Sequence, residues 1–147
     1  MLTKLKINNY ALIDSLEISF NKGMTSITGE TGAGKSIILG GLSMVLGSRV
    51  DNSKIINKEK KCFVEATFDL TDIYLKDYFR NNDLDYDEIT IIRREVNQNG
   101  KSRAFVNDTP VKLDQLSDLT NRLIDVHSQF NNLSILDSNF IFLILDS

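Results

Sequence analysis

The stretch SITGETGAGKS, residues 26–36, constrains this chain more than any other. A short apolar run, Met24-Thr25-Ser26-Ile27, leads into Gly29, Gly32 and Gly34; Lys35, Ser36 and a row of aliphatic residues follow. The pattern predicts a short buried strand over residues 24–28 and a helix over residues 36–46, with Gly47 as the glycine that ends it. Flexible residues between two ordered segments need a backbone reason. Gly29-Glu30-Thr31-Gly32-Ala33-Gly34-Lys35-Ser36 fits G-x-x-x-x-G-K-[ST], the P-loop. Backbone amides at positions 32–36 can curl around a triphosphate only if side chains stay clear, and glycine supplies both the φ freedom and the clearance. The helix then aims its unpaired amides and partial positive charge at the phosphates. Lys35 reaches the β- and γ-phosphates, and the Ser36 hydroxyl can ligate Mg²⁺. Gly29, Glu30, Thr31, Gly32, Ala33, Gly34, Lys35, Ser36 and Ile37 are the expected nucleotide-binding set. A glycine-rich turn with an incidental lysine is the plainer alternative; a strand before and a helix after the motif favour the nucleotide.

The rest of the chain mixes strands and helices. Leu5 and Ile7, then Leu16, Ile18 and Phe20, alternate as strands do, with turn chemistry at Asn8-Asn9 and Asp14-Ser15, so a hairpin or meander opens the fold. Gly40-Gly41 within the helix cost about 1 kcal/mol each relative to alanine and suggest close packing on a sheet. Residues 48–61 form a polar, lysine-rich loop. Residues 62–70 alternate again, and Asp72 is placed to cap a helix carrying Ile73, Leu75, Tyr78 and Phe79. EITIIRREV, residues 88–96, reads as a strand, Asn97-Gln98-Asn99-Gly100 as a hairpin turn, and residues 102–106 as its partner. Asn107-Asp108-Thr109-Pro110 is a further turn, residues 113–123 a helix, and residues 123–126 a short buried strand. The expected class is α/β with an antiparallel subsheet over about residues 62–106.

Composition excludes several classes. At 147 residues, 41% hydrophobic, the chain can bury one core, and its net charge of −3 gives no general basic surface for nucleic acid. Cys62 is the lone cysteine, so no intrachain disulfide forms, which suits a reducing compartment. The N-terminus lacks the apolar core of a signal peptide, and the longest apolar run, residues 140–145, is too short for a bilayer. A cytoplasmic protein without membrane contact is expected. Gly100 is the last glycine and the first after Gly47. Residue 97 is Asn, so the Asp-x-x-Gly of a GTPase is absent, and Asn57-Lys58-Glu59-Lys60 lacks the aspartate of its base reader. Nor is there the arginine-rich lid of a small-molecule kinase. An ABC-type signature needs Gly-Gly, which does not occur after Gly41, and Ser147 stands where a Walker B element would carry its catalytic glutamate.

Residues 1–49, with ALID, GETGAGKS and LGSR, closely resemble the N-terminus of RecN, the family of bacterial SMC-like DNA repair ATPases. SRAFVNDTPVKLDQLSDLTNRLIDVHSQ, residues 102–129, resembles the family's Ser-Arg-x-Phe-hydrophobic-Asn segment and its Asp-hydrophobic-His-x-Gln element. Ser128 stands where glycine is usual, and Phe130-Asn131-Asn132 replaces a more His/Glu-rich run. The resemblance implies a P-loop NTPase of the ABC/SMC head type, split in sequence by a long coiled coil. Residues 1–147 would be the N-terminal lobe, a piece of a longer head, carrying the P-loop and Q-loop. It implies ATP and Mg²⁺ as ligands, Lys35 and Gln129 as catalytic residues, and Ser36 and Gln129 as Mg²⁺ ligands. His127 would hold the loop at the strand end or touch the nucleotide. Arg49 would lie near nucleotide or DNA, or else be an ordinary surface arginine. The implied partners are the C-terminal lobe of the same head, a second head in a homodimer, and DNA. Lys4, Lys6 and the lysines of residues 54–61 could meet DNA phosphates, although such runs usually form solvated faces. Alone, the chain would lack efficient turnover, and residues 140–145 would favour self-association. Another SMC-like or RecF-like head, a standalone P-loop kinase, and a module that merely holds phosphate remain alternatives. Heptads beyond residue 147 would favour the first.

Overall fold

The computed structural model describes residues 1–28 and 32–126. Six strands form one sheet in the order β2-β1-β3-β4-β5-β6, and every neighbouring pair runs antiparallel. The strands are β1 (Leu2–Tyr10), β2 (Ile13–Ser19), β3 (Cys62–Asp69), β4 (Ile89–Val96), β5 (Ser102–Val106) and β6 (Thr109–Val111). The helices are α1 (Gly32–Val45), α2 (Lys76–Asn81) and α3 (Leu113–Asn121). The antiparallel region thus begins at residue 2, well before the expected residue 62.

Period-two alternation decides which face is buried. In β3, Cys62, Val64, Ala66 and Phe68 are buried while the residues between them are partly exposed. Register places Ile7 opposite Val64 and Ala66 opposite Ile92, so one apolar stripe crosses the central strands. Helix α1 covers that stripe with Met44 and Val45. A Cβ on Gly41 would lie 2.7 Å from Ile7 Cδ1, so the glycine is what lets the helix approach the sheet. Gly40 meets the Tyr10 hydroxyl in the same way, at 3.1 Å. Leu116 and Leu119 of α3 are fully buried and extend the core beside β5.

Helix α1 ends as its glycine predicts. Gly47 takes φ +98°, Ser48 N–H donates to Ser43 O and Gly47 N–H to Met44 O, the two bonds of a Schellman cap. The Thr120 hydroxyl of α3 donates to Leu46 O at 3.2 Å, so the two helices share one terminus.

Several expected boundaries move. The opening turn is Ala11-Leu12, between Tyr10 and Ile13, and the Asn8-Asn9 and Asp14-Ser15 pairs lie inside strands. Asn9 still takes a turn-like φ of +54°, but its side chain serves another segment. Its amide donates to Asn57 O and Lys60 O and accepts from Asn57 N–H, fastening the 57–60 loop from a site 1% exposed. The second helix starts at Lys76, with Leu75 as N-cap, because the Asp69 carboxylate takes the Thr71 amide and hydroxyl in a separate turn upstream. Thr109 and Pro110 belong to β6 rather than to a turn, with Asn107-Asp108 alone making the reversal. Proline is tolerated there because β6 is an edge strand. Residues 24–28 and 123–126 are not strands: neither pairs with a described strand, so neither has a ladder to fill.

Candidate nucleotide-binding site

The helix predicted to begin at residue 36 begins at Gly32, so Gly32 and Gly34 of the motif lie in its first turn. Amides in this turn precede any intrahelical acceptor and are the natural donors for an anion. No acidic residue occupies the turn to compete with such a ligand. A Cβ on Gly34 would meet nothing within 4 Å, so space lies open above the turn. Lys35 and Ser36 are exposed and Ile37 is half-buried. Ile37 packs against the core cluster, so it anchors the turn rather than facing the open side.

The structure therefore brings Gly32, Gly34, Lys35, Ser36 and Ile37 together at one helix end, with the backbone of Ala33 among them. Gly29, Glu30, Thr31, His127 and Gln129 lie outside the described residues, as do Phe130 and residues 140–147. Arg49 is exposed beyond the far end of α1. Ten residues of helix at about 1.5 Å each put roughly 15 Å between Lys35 and Val45. The described part of the site fits Mg²⁺·ATP: the amides of the first turn, one exposed ammonium and one exposed hydroxyl, with no acidic residue in that turn. Among the described residues no cluster of three or more His, Cys, Asp or Glu could hold a metal by itself.

The approach to this turn is apolar. Residues 21–28 form no regular element and bend at Lys22-Gly23, with Met24 98% and Ile27 41% exposed. Ile27 and Lys35 border a cavity of about 350 Å³ walled by Leu2, Leu5, Phe20, Ile38 and Leu42. The expected strand at 24–28 is thus an exposed segment beside an apolar hollow.

The lysines divide. Lys4 and Lys6 are tied to Glu17 at 3.1 and 3.5 Å, with Glu65 a further 3.9 Å partner of Lys6. Lys61 pairs with Glu95 at 3.6 Å. Lys58 and Lys60 border a cavity of about 310 Å³ with Asn52, Asn97 and Gln98. Cys62 is fully buried, and burial pushes its thiol up to about 11, which removes it from thiolate chemistry at neutral pH. Arg94, which sequence reasoning passed over, is also buried. Nothing in an alternating strand signals that such an arginine keeps a buried Nε without a hydrogen-bond partner among the described residues.

A family model described as AAA domain matches residues 4–143, nearly the whole chain. The chain belongs to the AAA domain family. Within that family setting the chain is 40% identical over 147 residues to the DNA repair protein RecN of Vibrio cholerae, covering 99% of this chain and 26% of that protein. It is 36% identical to the DNA repair protein RecN of Xylella fastidiosa, covering 100% and 27% respectively. The chain thus spans about a quarter of the curated relatives it matches. The fold matches part of an SMC head. It superposes with a TM-score of 0.69 on the Smc head domain of Pyrococcus furiosus, solved with an extended coiled coil and the C-terminal domain of ScpA. That match is 23% identical and covers 99% of this chain and 41% of the other. Among the described residues no helix of this AAA domain is long and apolar enough to cross a membrane.

Proposed function

We propose that residues 1–147 are the N-terminal lobe of an SMC-like ATPase head acting in recombinational repair of DNA double-strand breaks. The observation that carries this reading is the motif GETGAGKS opening α1 at Gly32, in a chain 40% identical to a protein named DNA repair protein RecN. The lobe would grip Mg²⁺·ATP with residues 29–37. Lys35 would neutralise the β- and γ-phosphates, and Ser36 would complete the coordination of Mg²⁺. Gln129 would reach the γ-phosphate, the metal and the attacking water. An amide suits that place because its oxygen can ligate while its nitrogen donates.

When bound, Mg²⁺ supplies Lewis-acid stabilisation of the phosphoryl oxygens. The chain's own contribution is positioning and charge: fixed backbone dipoles that need not reorganise during the reaction. The partners would be the C-terminal lobe of the same head, a second head, and DNA, and the setting would be the cytoplasm. Without a signature or catalytic glutamate, the lobe alone would bind ATP yet barely hydrolyse it.

The test is to titrate Mg²⁺·ATP into the 147-residue chain and its Lys35→Ala variant, then to measure phosphate release with and without the remainder of the head. The expected result is binding weakened tenfold or more by Lys35→Ala and turnover only with the added lobe. Vigorous turnover by the lobe alone, abolished by Lys35→Ala, would replace this reading with that of a self-sufficient phosphotransferase.

A further inference from the structure

Arg94 interrupts the apolar face of β4. It shares that face with Thr90, Ile92 and Val96, all fully buried, and is itself 2% exposed. Its Nε has no hydrogen-bond partner, and no salt bridge reaches it among the described residues. Burial holds its pKa below the ordinary guanidinium value, with no opposing charge to restore it. An uncompensated buried cation is costly, and a fold that keeps one has something for it to meet.

The surroundings indicate what that is. Val64 of β3 and Ala104 of β5 are its register partners, so its backbone is enclosed on both sides. Its part in the wall of the neighbouring cavity, about 570 Å³, is therefore made by the side chain. Ser102 and Val111 border the same cavity, as do Lys112 and Leu113 where β6 turns into α3. Lys112 is the N-cap of α3 and makes no side-chain cap bond. The first backbone bond returning to it comes from Leu116, so the amides of Leu113, Asp114 and Gln115 precede the helical ladder. Arg103 also borders the cavity but is register-paired with Glu95, so alternation sets it on the other face of the sheet from Arg94. Among the described residues no carboxylate lines the cavity, and Asp114 lies in the first turn of α3.

We propose that this cavity is a binding site for a phosphate-class oxyanion, gripped by the Arg94 guanidinium and the N-terminus of α3. Two cations, Arg94 and Lys112, with the Ser102 hydroxyl and an uncapped helix end, exceed what one carboxylate would need, and they suit a group with several acceptor oxygens. Two sources present that chemistry: free phosphate or a phosphomonoester, and the phosphodiester backbone of a nucleic acid. The cavity shares no lining residue with the hollow beside Lys35, so the two sites can be separated by mutation.

The experiment uses the full 147-residue chain carrying Lys35→Ala, which removes phosphate binding at the P-loop. Its thermal unfolding midpoint is compared in inorganic phosphate, acetate and chloride at equal ionic strength, and phosphate affinity is measured by calorimetry. Phosphate at ten times its dissociation constant should raise the midpoint by roughly 4 °C over chloride. Adding Arg94→Met should abolish that response, and Arg94→Lys, which keeps the charge but loses the fork, should weaken affinity tenfold or more. Displacement of phosphate by a short duplex without terminal phosphates would assign the site to a nucleic-acid backbone. A duplex that fails to displace it would assign the site to free phosphate or a monoester. The proposal is overturned by no response in the Lys35→Ala chain, by an equal response with acetate, or by unchanged affinity in Arg94→Lys.

Discussion

Cys62 and Asn9 show how one position can carry a role its residue type does not announce. Cys62 opens β3, register-paired with Val96, and is fully buried. Its thiol is held protonated up to about 11 against an ordinary value of 9.0. A group whose pKa is raised on folding contributes stability that is complete below the unfolded value and is lost as pH rises through the folded one. Between about pH 9 and 11 the thiol should therefore forfeit about 2–3 kcal/mol. Urea unfolding across that range should show a steeper fall in the parent chain than in Cys62→Ala, where burial of Tyr10 and Tyr78 still raises their pKa values and leaves a residual fall, although the alanine variant starts less stable. Iodoacetamide should label Cys62 only as fast as the chain opens. Asn9 was legible as a turn former, and its φ of +54° agrees with that chemistry. Its side-chain partners at residues 57 and 60 were not legible, because they lie about fifty positions downstream.

At the scale of elements, local chemistry was readable and pairing was not. The Asn97-Gly100 turn and the end of α1 each depend on a few adjacent residues, and each stands where the sequence places it. Gly47 is the sharpest case. Its φ of +98° excludes most side chains, and a Cβ would lie 3.2 Å from Ser117 Cβ and 3.4 Å from Ser117 Cα. The capped end is where α1 meets α3, so strain there separates two helices rather than fraying one. Gly47→Ala should destabilise the chain by about 2–3 kcal/mol, from backbone strain and the contact with α3 together. Chemical denaturation is the measurement, and a cost below 0.5 kcal/mol would mean that the Schellman cap is dispensable. The strands expected at 24–28 and 123–126 failed for the opposite reason. Their apolar content is that of a strand, but a strand exists only beside another, and the partner is not written in the segment itself. Arg94 was hidden in the same way: its isolation depends on Val64, Ala104 and the entry to α3, which converge only in the folded sheet.

For the whole molecule, one group of exposed apolar residues gathers beside Lys35. Met24 and Ile27 stand exposed, Leu39 is 37% exposed on the adjoining face of α1, and the hollow beside Lys35 is walled almost entirely by hydrocarbon. An apolar surface beside a phosphate-gripping turn is poorly suited to water and well suited to a second layer of protein. Under the proposed reading that layer is the C-terminal lobe of the head, which would give residues 24–28 the strand partner they lack here. Two consequences distinguish this from an ordinary surface loop. Amides of residues 24–28 should exchange with solvent rapidly in the isolated chain and become protected when the C-terminal lobe is added, while those of β3 stay protected throughout. Ile27→Asp should weaken association of the two lobes tenfold or more, because it places a carboxylate in the buried contact. It should leave the thermal midpoint of the isolated chain within about 2 °C of the parent, since Ile27 is already 41% exposed. Titration calorimetry between the lobes decides it. Undiminished association with Ile27→Asp, or amides at 24–28 that stay open in the assembled head, would move the lobe contact to another face and leave the apolar hollow without its proposed occupant.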